Sequence, residues 1–438
     1  MSTARKAYHM FVVVIVLSRA TDNCSGARTV TNNALPPDHS TERYGDSIIV
    51  DVTSFGAKGN GVTDDTKAFQ ASWQAACGKG STTLHVPAGY RFLVAPVTFF
   101  GPCQSNIVFQ IDGSIIAPVN ARFWTSNLLE WINFSKLNGI TIVGSGVLDG
   151  QGAAWWKLSQ YDNEDSSKGG TNLPSVRPTV LRFYGSYDVS VEGITIENSP
   201  QCHLKFDSCT SVKVVGVTIS SPANSPNTDG IHLQNSRDVE IYHSSMACGD
   251  DCVSIQTGCS GIRVHNINCG PGHGISIGGL GKDGTKACVS NVSVYDSNIK
   301  DTLNGVRIKT WPGGVGSVKS LSFSNIQVSN VRVPIVIDQF YCDKKACPAR
   351  SSAVFISGVT YEKVTGTYID RPLTLACSND VPCTDLKLIN IQLRPAVVSG
   401  KDPLCSNCYG QQQLTAVCLR SGRPLNDPSR TQSHSNAC

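Results

Sequence analysis

Short apolar runs recur at a nearly constant interval, and this repeat constrains the fold more than any other feature of the chain. The first apolar positions of six successive runs are 23, 27, 23, 30 and 29 residues apart: Val189, Val212, Val239, Ile262, Val292 and Leu321. The runs are β-branched and bounded by Gly, Asn and Ser, as short strands are. Repeats of this length are typical of solenoids, whose units stack to form one core. We therefore predict an all-β, single-domain parallel β-helix.

One amphipathic segment precedes the repeats. In FGAKGNGVTDDTKAFQASWQAAC, Thr63 can cap a helix, and Phe69, Trp73 and Ala76 share one face of it. A β-propeller is the main alternative, but its blades need four strands and a longer period, and it has no use for a single terminal helix. We expect an α-helix that covers the first turn of the solenoid.

The remaining segments are assigned by composition. Residues 1–22 are typical of a secretory signal, because Arg5 and Lys6 precede a short apolar run, Met10 to Leu17, and then small residues. That run is shorter than the ~20 residues that a membrane anchor needs. Residues 23–47 are polar and aperiodic, which indicates a flexible lead or a propiece. The β-helix is then predicted over 48–400, and a disulfide-rich tail over 401–438.

Cysteine usage also favours an extracellular protein. Eighteen cysteines are more compatible with disulfides outside the cell than with thiols in the cytosol. Cys405 and Cys408 have the spacing of metal ligands, but no matching second pair lies near them, so disulfide chemistry is preferred. Sequons at Asn23, Asn133 and Asn291 can carry glycans in a secreted chain, although Asn23 can be lost with the signal.

Net charge does not identify a partner. Lys and Arg total 37 against 33 Asp and Glu, a balance of +4 that is too weak to indicate nucleic acid. No segment after the signal is apolar enough to span a membrane. Any attraction of an acidic polymer must therefore come from local clusters of charge.

Three polar segments recur at nearly the same interval as the apolar runs. They are NTDG (Asn227 to Gly230), CGDDC (Cys248 to Cys252) and GPGHG (Gly270 to Gly274). Asp229 and Asp250 are 21 residues apart, and His273 follows after 23 more. Neighbouring turns of a parallel coil lie about 4.8 Å apart, so residues one repeat apart lie side by side. Each segment alone is an ordinary turn; their common spacing predicts one site.

Carboxylates held this close cannot all ionise, so one of them should have a raised pKa and keep its proton. An acid beside a base is what cleavage of a glycosidic bond requires. Consecutive residues of a strand face opposite ways, so Asp250 and Asp251 can share a face only at a turn or bulge. Cys252 and Cys269 could join this turn of the coil to the one that carries His273.

Arg307 and Lys309 flank Ile308 and should project on one face of a strand. They can be ion-pair partners of the carboxylates, or they can bind a sugar carboxylate. The two interpretations are compatible.

These four segments, in this order and at these separations, resemble the polygalacturonases, pectin-degrading glycoside hydrolases built on a right-handed parallel β-helix. The likeness covers roughly Val50 to Pro395 and is greatest to secreted plant members. It implies hydrolysis of α-1,4 bonds between galacturonic acid units with inversion, and without a metal or organic cofactor. By the same resemblance, Asp250 is the general acid, Asp229 and Asp251 hold and activate water, and His273 tunes or orients the acid.

The resemblance also implies substrate contacts. Arg307 and Lys309 bind the substrate carboxylate, Asn227 supports the first motif, and Tyr341 lines the subsite. One departure is visible: Gly279 stands where the family often has Ser, which is expected to alter a loop near the cleft.

The sequence leaves several alternatives open. We expect an endo-acting, monomeric enzyme of the cell wall, but these residues are also compatible with an exo-acting hydrolase, a pectin lyase that needs calcium or a basic residue, and a non-catalytic pectin-binding wall protein. All three carboxylates are present, which argues against the last. Product sizes from polygalacturonate would separate these possibilities.

Overall fold

The computed structural model describes residues 48–104, 106–124, 129–161, 173–174, 176–343, 350, 353–398, 400–413, 418–422 and 438. All of them belong to one compact unit, Asp46–Cys438. The predicted signal and the predicted lead lie outside the described residues. Within the described part, no helix is both long and apolar enough to cross a membrane.

The strands of the first half of the chain are short. In chain order they are β1 (Ile48–Asp51), β2 (Asn60–Asp64), β3 (Thr82–Val86), β4 (Arg91–Leu93), β5 (Val97–Phe100), β6 (Ile107–Ile111), β7 (Ser114–Ile116), β8 (Glu130–Ser135), β9 (Asn138–Val143), β10 (Val147–Asp149), β11 (Thr179–Tyr184), β12 (Tyr187–Glu192), β13 (Thr195–Glu197), β14 (Leu204–Asp207), β15 (Thr210–Val215) and β16 (Thr218–Ser220).

In the second half, some neighbouring strands merge into longer ones. The strands are β17 (Ile231–Gln234), β18 (Arg237–Tyr242), β19 (Ser245–Ala247), β20 (Val253–Ile255), β21 (Ser260–His265), β22 (Asn268–Cys269), β23 (Ile275–Leu280), β24 (Lys286–Lys300), β25 (Asn304–Thr310), β26 (Val315–Val331), β27 (Val333–Asp338), β28 (Phe355–Tyr368), β29 (Leu373–Ala376), β30 (Cys383–Ile389), β31 (Gln392–Pro395), β32 (Leu404–Ser406) and β33 (Cys408–Gln412).

The strands stack in parallel as a β-helix. One sheet of eleven strands has the order β5-β8-β11-β14-β17-β20-β23-β25-β27-β29-β32, and the other strands form the remaining faces. The six apolar positions of the sequence repeat pair with one another in series, Val189 with Val212 and so on to Leu321. The predicted solenoid and its register are therefore confirmed.

Alternation along each strand separates the core from the surface. In β14 the side chains of Leu204 and Phe206 are buried, whereas Lys205 between them is partly exposed. Phe206 stacks on Phe183, and Phe183 stacks on Phe134, with ring centroids 5.2 Å apart at each step. Like side chains in register thus form continuous columns along the axis of the β-helix. Each side chain is buried by its neighbours in the turns above and below, so a single turn could not form this core alone.

The predicted helix exists as α1 (Thr66–Cys77), with Phe69, Trp73 and Ala76 buried. It contacts β1, β3 and β5, and a disulfide joins Cys77 to Cys103. The predicted cap is wrong: Thr63 lies in β2, and Asp65 occupies the N-cap.

The start of α1 is displaced because the acidic pair is bound to the backbone. The Asp65 carboxylate accepts hydrogen bonds from the amides of Lys58 and Gly59 at 2.7 and 3.0 Å, while Asp64 accepts one from the amide of Thr66 at 3.0 Å. A second helix, α2 (Ala153–Tyr161), and three short 3-10 helices, Val52–Phe55, Ala121–Phe123 and Lys282–Gly284, complete the described elements.

Two strands lie within the predicted tail. β32 and β33 pair with β29 and β30 and continue the stack. Disulfides also join Cys405 to Cys418 and Cys288 to Cys438. Cys408 is a free buried thiol, so the CxxC segment is only partly oxidised.

Two expectations from the sequence are met only in part: not every described cysteine forms a disulfide, and one predicted glycosylation site is buried. Five described cysteines are free and buried: Cys202, Cys209, Cys248, Cys259 and Cys408. Asn133 lies in β8 and is only 6% exposed, so the folded protein cannot present it for glycosylation. Asn291 is exposed, whereas Asn23 lies outside the described residues.

Candidate active site

The candidate site lies on the outer face of the eleven-stranded sheet. One outward-facing residue from each of seven consecutive strands is in register, and we call this series the outer row: Asn133, Arg182, Lys205, His232, Ser254, Ser276 and Arg307. The three aspartates come from the segments that enter β17 and β20. The NTDG segment ends where β17 begins, and CGDDC ends where β20 begins. The site is therefore assembled by strand stacking.

Asp229 lies just before β17. The amide of Gly230 donates a hydrogen bond to the carbonyl of Asp251 at 2.9 Å, which places the two segments side by side as the spacing predicted. One Asp229 carboxylate oxygen lies 3.1 Å from Nδ1 of His232. His232 was not recognised in the sequence, although it follows Asp229 by three residues and belongs to the outer row.

Asp250 is held on two sides. One carboxylate oxygen lies 2.9 Å from Nδ1 of His273 and also accepts the amide of Asp251. Asn227 donates to the other oxygen at 3.4 Å. The amide of His273 donates to the Asp250 carbonyl at 2.7 Å, so the histidine is fixed at both backbone and side chain.

Asp251 is the most enclosed of the three, with a side chain that is 2% exposed. One oxygen accepts hydrogen bonds from Ser276 at 2.7 Å and Arg307 at 2.8 Å, and the other accepts one from Lys309 at 2.8 Å. Arg307 also donates from Nε to Ser276 at 3.1 Å. The ion-pair interpretation of the two cations is thus what the structure shows. Ser276 was missed, although the register pairs it with Arg307.

The surroundings separate the pKa values of two carboxyls. Burial raises the pKa of Asp229, and the neighbouring charges of Asp250 and Asp251 add to this against the hydrogen bond from His232. Burial acts in the same direction on Asp251, but Lys309 and Arg307 outweigh it and hold its pKa below the ordinary value. One carboxyl with a raised pKa was expected from like charge; here burial is the larger cause.

A turn allows Asp250 and Asp251 to face the same site, as expected. Both lie between β19 and β20, outside regular strand. Gly249 is needed there for space: a Cβ added to it would overlap the carbonyl oxygen of Ser225. The predicted disulfide between Cys252 and Cys269 is present.

Arg177 supports the NTDG segment and was not recognised in the sequence. It donates to the side chain of Asn227 at 2.7 Å and to the carbonyl of Pro226 at 2.8 Å. Asn227 in turn reaches Asp250. No spacing signal marks Arg177, because it lies in an irregular segment before β11.

Tyr341 lies beside the cations. The ammonium of Lys309 is 5.2 Å from the centroid of its ring, and Trp311 packs edge-on against it at 5.8 Å. Gly279 lies against this pair: a Cβ added to it would approach Nε1 of Trp311 to 2.9 Å and the ring of Tyr341 to 3.0 Å. The departure at Gly279 therefore makes room for two aromatic rings.

Gly279→Ser is expected to raise KM for the substrate several-fold with a smaller effect on kcat, because the added atoms displace the Tyr341 ring. The measurement is steady-state kinetics together with the near-ultraviolet circular dichroism of the aromatic rings. Gly78→Ala is a suitable control, since its nearest neighbour is 3.5 Å away. An unchanged KM and spectrum for Gly279→Ser would contradict the packing argument.

His203 fixes the backbone of Asp229 from inside the coil. Its amide and its Nδ1 both lie within hydrogen-bond distance of the Asp229 carbonyl, at 2.9 and 2.8 Å, and Nε2 lies 2.7 Å from the hydroxyl of Ser221. A carbonyl only accepts, so Nδ1 carries the proton and Nε2 accepts from Ser221. Burial lowers the pKa of His203 to about 4.

Acid is therefore expected to destabilise the fold through His203. The folded pKa lies below the ordinary value of 6.5, so the stabilisation is complete above pH 6.5 and is lost as the pH falls toward 4. This pKa shift corresponds to a loss of roughly 3 kcal/mol in the free energy of unfolding. Urea unfolding at pH 7 and pH 4 should show a steeper loss for the parent chain than for His203→Asn. Equal losses in both proteins would contradict this expectation.

Two groups of potential metal ligands occur among the described residues. They are Cys202 with Asp229 and His232, and Asp250 with Asp251 and His273, and the ligand atoms in each group lie within 4.8 Å of one another. In the second group, both oxygens of Asp251 already accept from cationic side chains. A cation there would have to displace Arg307 or Lys309.

Three clustered carboxyls, of which Asp229 has a raised and Asp251 a lowered pKa, next to two cations on the outer face of the sheet, are typical of a glycosidase for an acidic polysaccharide. Residues 77–416 match the family model "Glycosyl hydrolases family 28". A polygalacturonase of Cryptomeria japonica is 42% identical over 363 residues, which are 82% of this chain and 69% of the relative. Polygalacturonase QRT2 of Arabidopsis thaliana is 42% identical over 348 residues, covering 78% and 77%.

The fold is also similar to that of a hydrolase of known structure. The crystal structure of endo-xylogalacturonan hydrolase from Aspergillus tubingensis is similar with a TM-score of 0.72 and 24% identity, over 85% of this chain and all of that one. At that identity the likeness concerns the fold, a right-handed parallel β-helix, and confirms the predicted handedness. The chain belongs to glycosyl hydrolases family 28 and hydrolyses polygalacturonan.

Proposed function

We propose that this enzyme cleaves polygalacturonan internally and with inversion, with Asp250 as general acid and with Asp229 and Asp251 as the residues that hold and activate water. The observation that carries the assignment is the contrast between the carboxyls. Asp250 bonds to His273, which is 31% exposed in its side chain, whereas both oxygens of Asp251 are bound by cations. Asp251 is thus suited to remain an anion, and Asp250 to exchange a proton.

Asp229 completes the water-binding pair in this proposal. Its raised pKa makes its ionised form a stronger base, but only at a pH above that value. Activity should then fall as the pH decreases through the pKa of Asp229. His273 would orient Asp250 and adjust its acidity, and Asn227 would keep the second oxygen of Asp250 in place.

A different assignment makes Asp229 the acid. The raised pKa of Asp229 favours this, because a carboxyl must keep its proton to protonate a leaving group. The hydrogen bond from His232 to Asp229 would then orient this acid and adjust its acidity, as His273 does for Asp250 in the first assignment. The two assignments predict opposite responses to a good leaving group, because only the variant that lacks the acid should recover activity on such a substrate.

Substrate binding is proposed for Arg307, Lys309 and Tyr341. The cations also pair with Asp251, so the sugar carboxylate would join an existing ion cluster rather than meet free charges. Tyr341 packs beside Lys309 and would contact the sugar ring at the same subsite.

Internal cleavage is supported by the position of the site in the sheet. Four strands, β5, β8, β11 and β14, precede the strands that carry the site, and three, β27, β29 and β32, follow them. Sheet surface is therefore present on both sides of the scissile bond, as a mid-chain cut requires. We further propose that the enzyme is monomeric and is secreted to the cell wall.

The test is a time course of product sizes from polygalacturonate. Internal cleavage gives intermediate oligomers and a fast loss of viscosity at low conversion, whereas exo action releases monomer or dimer from the start. A product that absorbs as an unsaturated uronide would indicate elimination, and binding without cleavage would indicate an inactive protein. Proton NMR of the first products should show the β-anomer; the α-anomer would contradict inversion.

A further inference from the structure

Four cationic residues project from the outer face of the eleven-stranded sheet near the site, and their charges are not equally available. Arg182, Lys205 and Arg307 belong to the outer row, and Lys309 follows Arg307 by two residues. A substrate carboxylate is bound best by a cation that no protein carboxylate already neutralises. The ion pairs of each cation therefore indicate which one is free to bind substrate.

Arg182 is neutralised on both sides. One terminal nitrogen donates to Glu130 at 2.9 Å and the other to Asp207 at 2.8 Å, and its side chain is 17% exposed. The guanidinium also lies 4.8 Å from the centroid of the Tyr184 ring. With two carboxylates around one guanidinium, this part of the sheet has no excess positive charge.

Arg307 and Lys309 share Asp251, as described above. Their side chains are 13% and 8% exposed, so much of their donor capacity is directed into the protein. Because Lys309 lies 5.2 Å from the centroid of the Tyr341 ring, any carboxylate that the two cations bind is at the Tyr341 end of the site.

Lys205 differs from all three. Among the described residues it has no ion-pair partner, and it is partly exposed. It stands in register between Arg182 and His232, one strand before the strand that Asp229 leads into. Asp207, the acid on the same face of β14, is already bonded to Arg182. Lys205 is thus a cation without a direct ion-pair partner in the described part of the chain, about 4.8 Å along the sheet from the His232 position.

We propose that Lys205 binds the carboxylate of a galacturonate unit on the opposite side of the scissile bond from Arg307 and Lys309. The enzyme would then recognise free carboxylates on both sides of the bond that it cleaves. A methyl ester cannot accept a charge-assisted hydrogen bond, so esterification of that unit removes the interaction. Lys205 is in this way a specificity-determining residue that selects unesterified segments. If Lys205 were only a hydrated surface residue, its replacement would have the same effect on the KM of esterified and unesterified substrates.

The test compares Lys205→Met with the parent enzyme on two substrates, polygalacturonate and highly methyl-esterified pectin. Methionine keeps the length of the side chain and removes its charge. KM for polygalacturonate is expected to rise about tenfold with kcat changed less than about twofold, and added salt should reduce the difference. On the esterified substrate, the two proteins should have the same KM.

Two variants serve as controls. Lys205→Arg should keep most of the affinity for polygalacturonate, because the charge remains. Lys319→Met removes an exposed lysine from β26, outside the eleven-stranded sheet, and should change neither KM. Equal KM values for Lys205→Met and the parent on polygalacturonate, or an equal rise on both substrates, would overturn the proposal. Failure of the parent to cleave polygalacturonate would instead refute the hydrolase activity itself.

Discussion

Asp250→Asn is expected to lower kcat on polygalacturonate about a thousandfold, because the variant cannot protonate the leaving oxygen. Folding should be little affected, since the single amide oxygen of asparagine can still accept from the amide of Asp251 and pair with His273, and only the 3.4 Å bond from Asn227 is lost. The same variant should act almost as fast as the parent on an oligogalacturonide that carries a nitrophenyl group at its reducing end. Such a leaving group departs without a proton. The measurement is kcat for both substrates at the same pH.

Asp229→Asn is the matched control. If Asp229 activates water, this variant should be impaired equally on both substrates, because a good leaving group does not replace a base. Recovery of Asp229→Asn, but not Asp250→Asn, on the aryl substrate would exchange the two roles in favour of the assignment suggested by the raised pKa of Asp229.

Asp251→Asn is expected to affect both stability and catalysis. Lys309 and Arg307 would lose the carboxylate that neutralises them in a site where Lys309 is 8% exposed. Removing one partner of a buried ion pair destabilises proteins by about 3–5 kcal/mol. The free energy of unfolding from urea titration should fall by this order, and kcat should fall at least about a hundredfold because a water-activating group is lost.

The double variant Asp251→Asn with Lys309→Met separates the two effects. It removes one of the two cations left without a partner, so most of the lost stability should return, while kcat should stay at the lowered value of the single variant. A double variant as unstable as the single one would contradict the ion-pair explanation. Near-normal kcat in Asp251→Asn would restrict Asp251 to a structural role.

The fold was predictable because its strongest determinant is a repeat. Strand register in a coil follows from residue spacing alone, so Val189, Val212 and Val239 could be aligned before any contact was known. The same spacing predicts that Asp229 lies next to the Asp250 and Asp251 pair, and the register of the outward-facing positions also contains His232 and Ser276.

Other features depend on local packing that spacing does not encode. The prediction of Thr63 as the helix cap is wrong because the Asp65 carboxylate accepts hydrogen bonds from the amides of the preceding loop. Asn133 matches a glycosylation motif and lies on the outer face of the sheet, but it is only 6% exposed. Likewise, the larger part of the pKa shift of Asp229 comes from burial, which cannot be obtained from the number of nearby charges.

The construction of the site from successive strands of one sheet makes reaction chemistry and groove length separable in evolution. Every distance among the reacting groups is set within β17, β20, β23 and β25 and the segments that enter them. A duplicated turn inserted before β11 or after β27 would extend the sugar-binding surface by about 4.8 Å and leave those distances unchanged. Enzymes of this architecture can thus lengthen or shorten the stretch of polymer that they read by gaining or losing whole turns, without redesigning the catalytic groups.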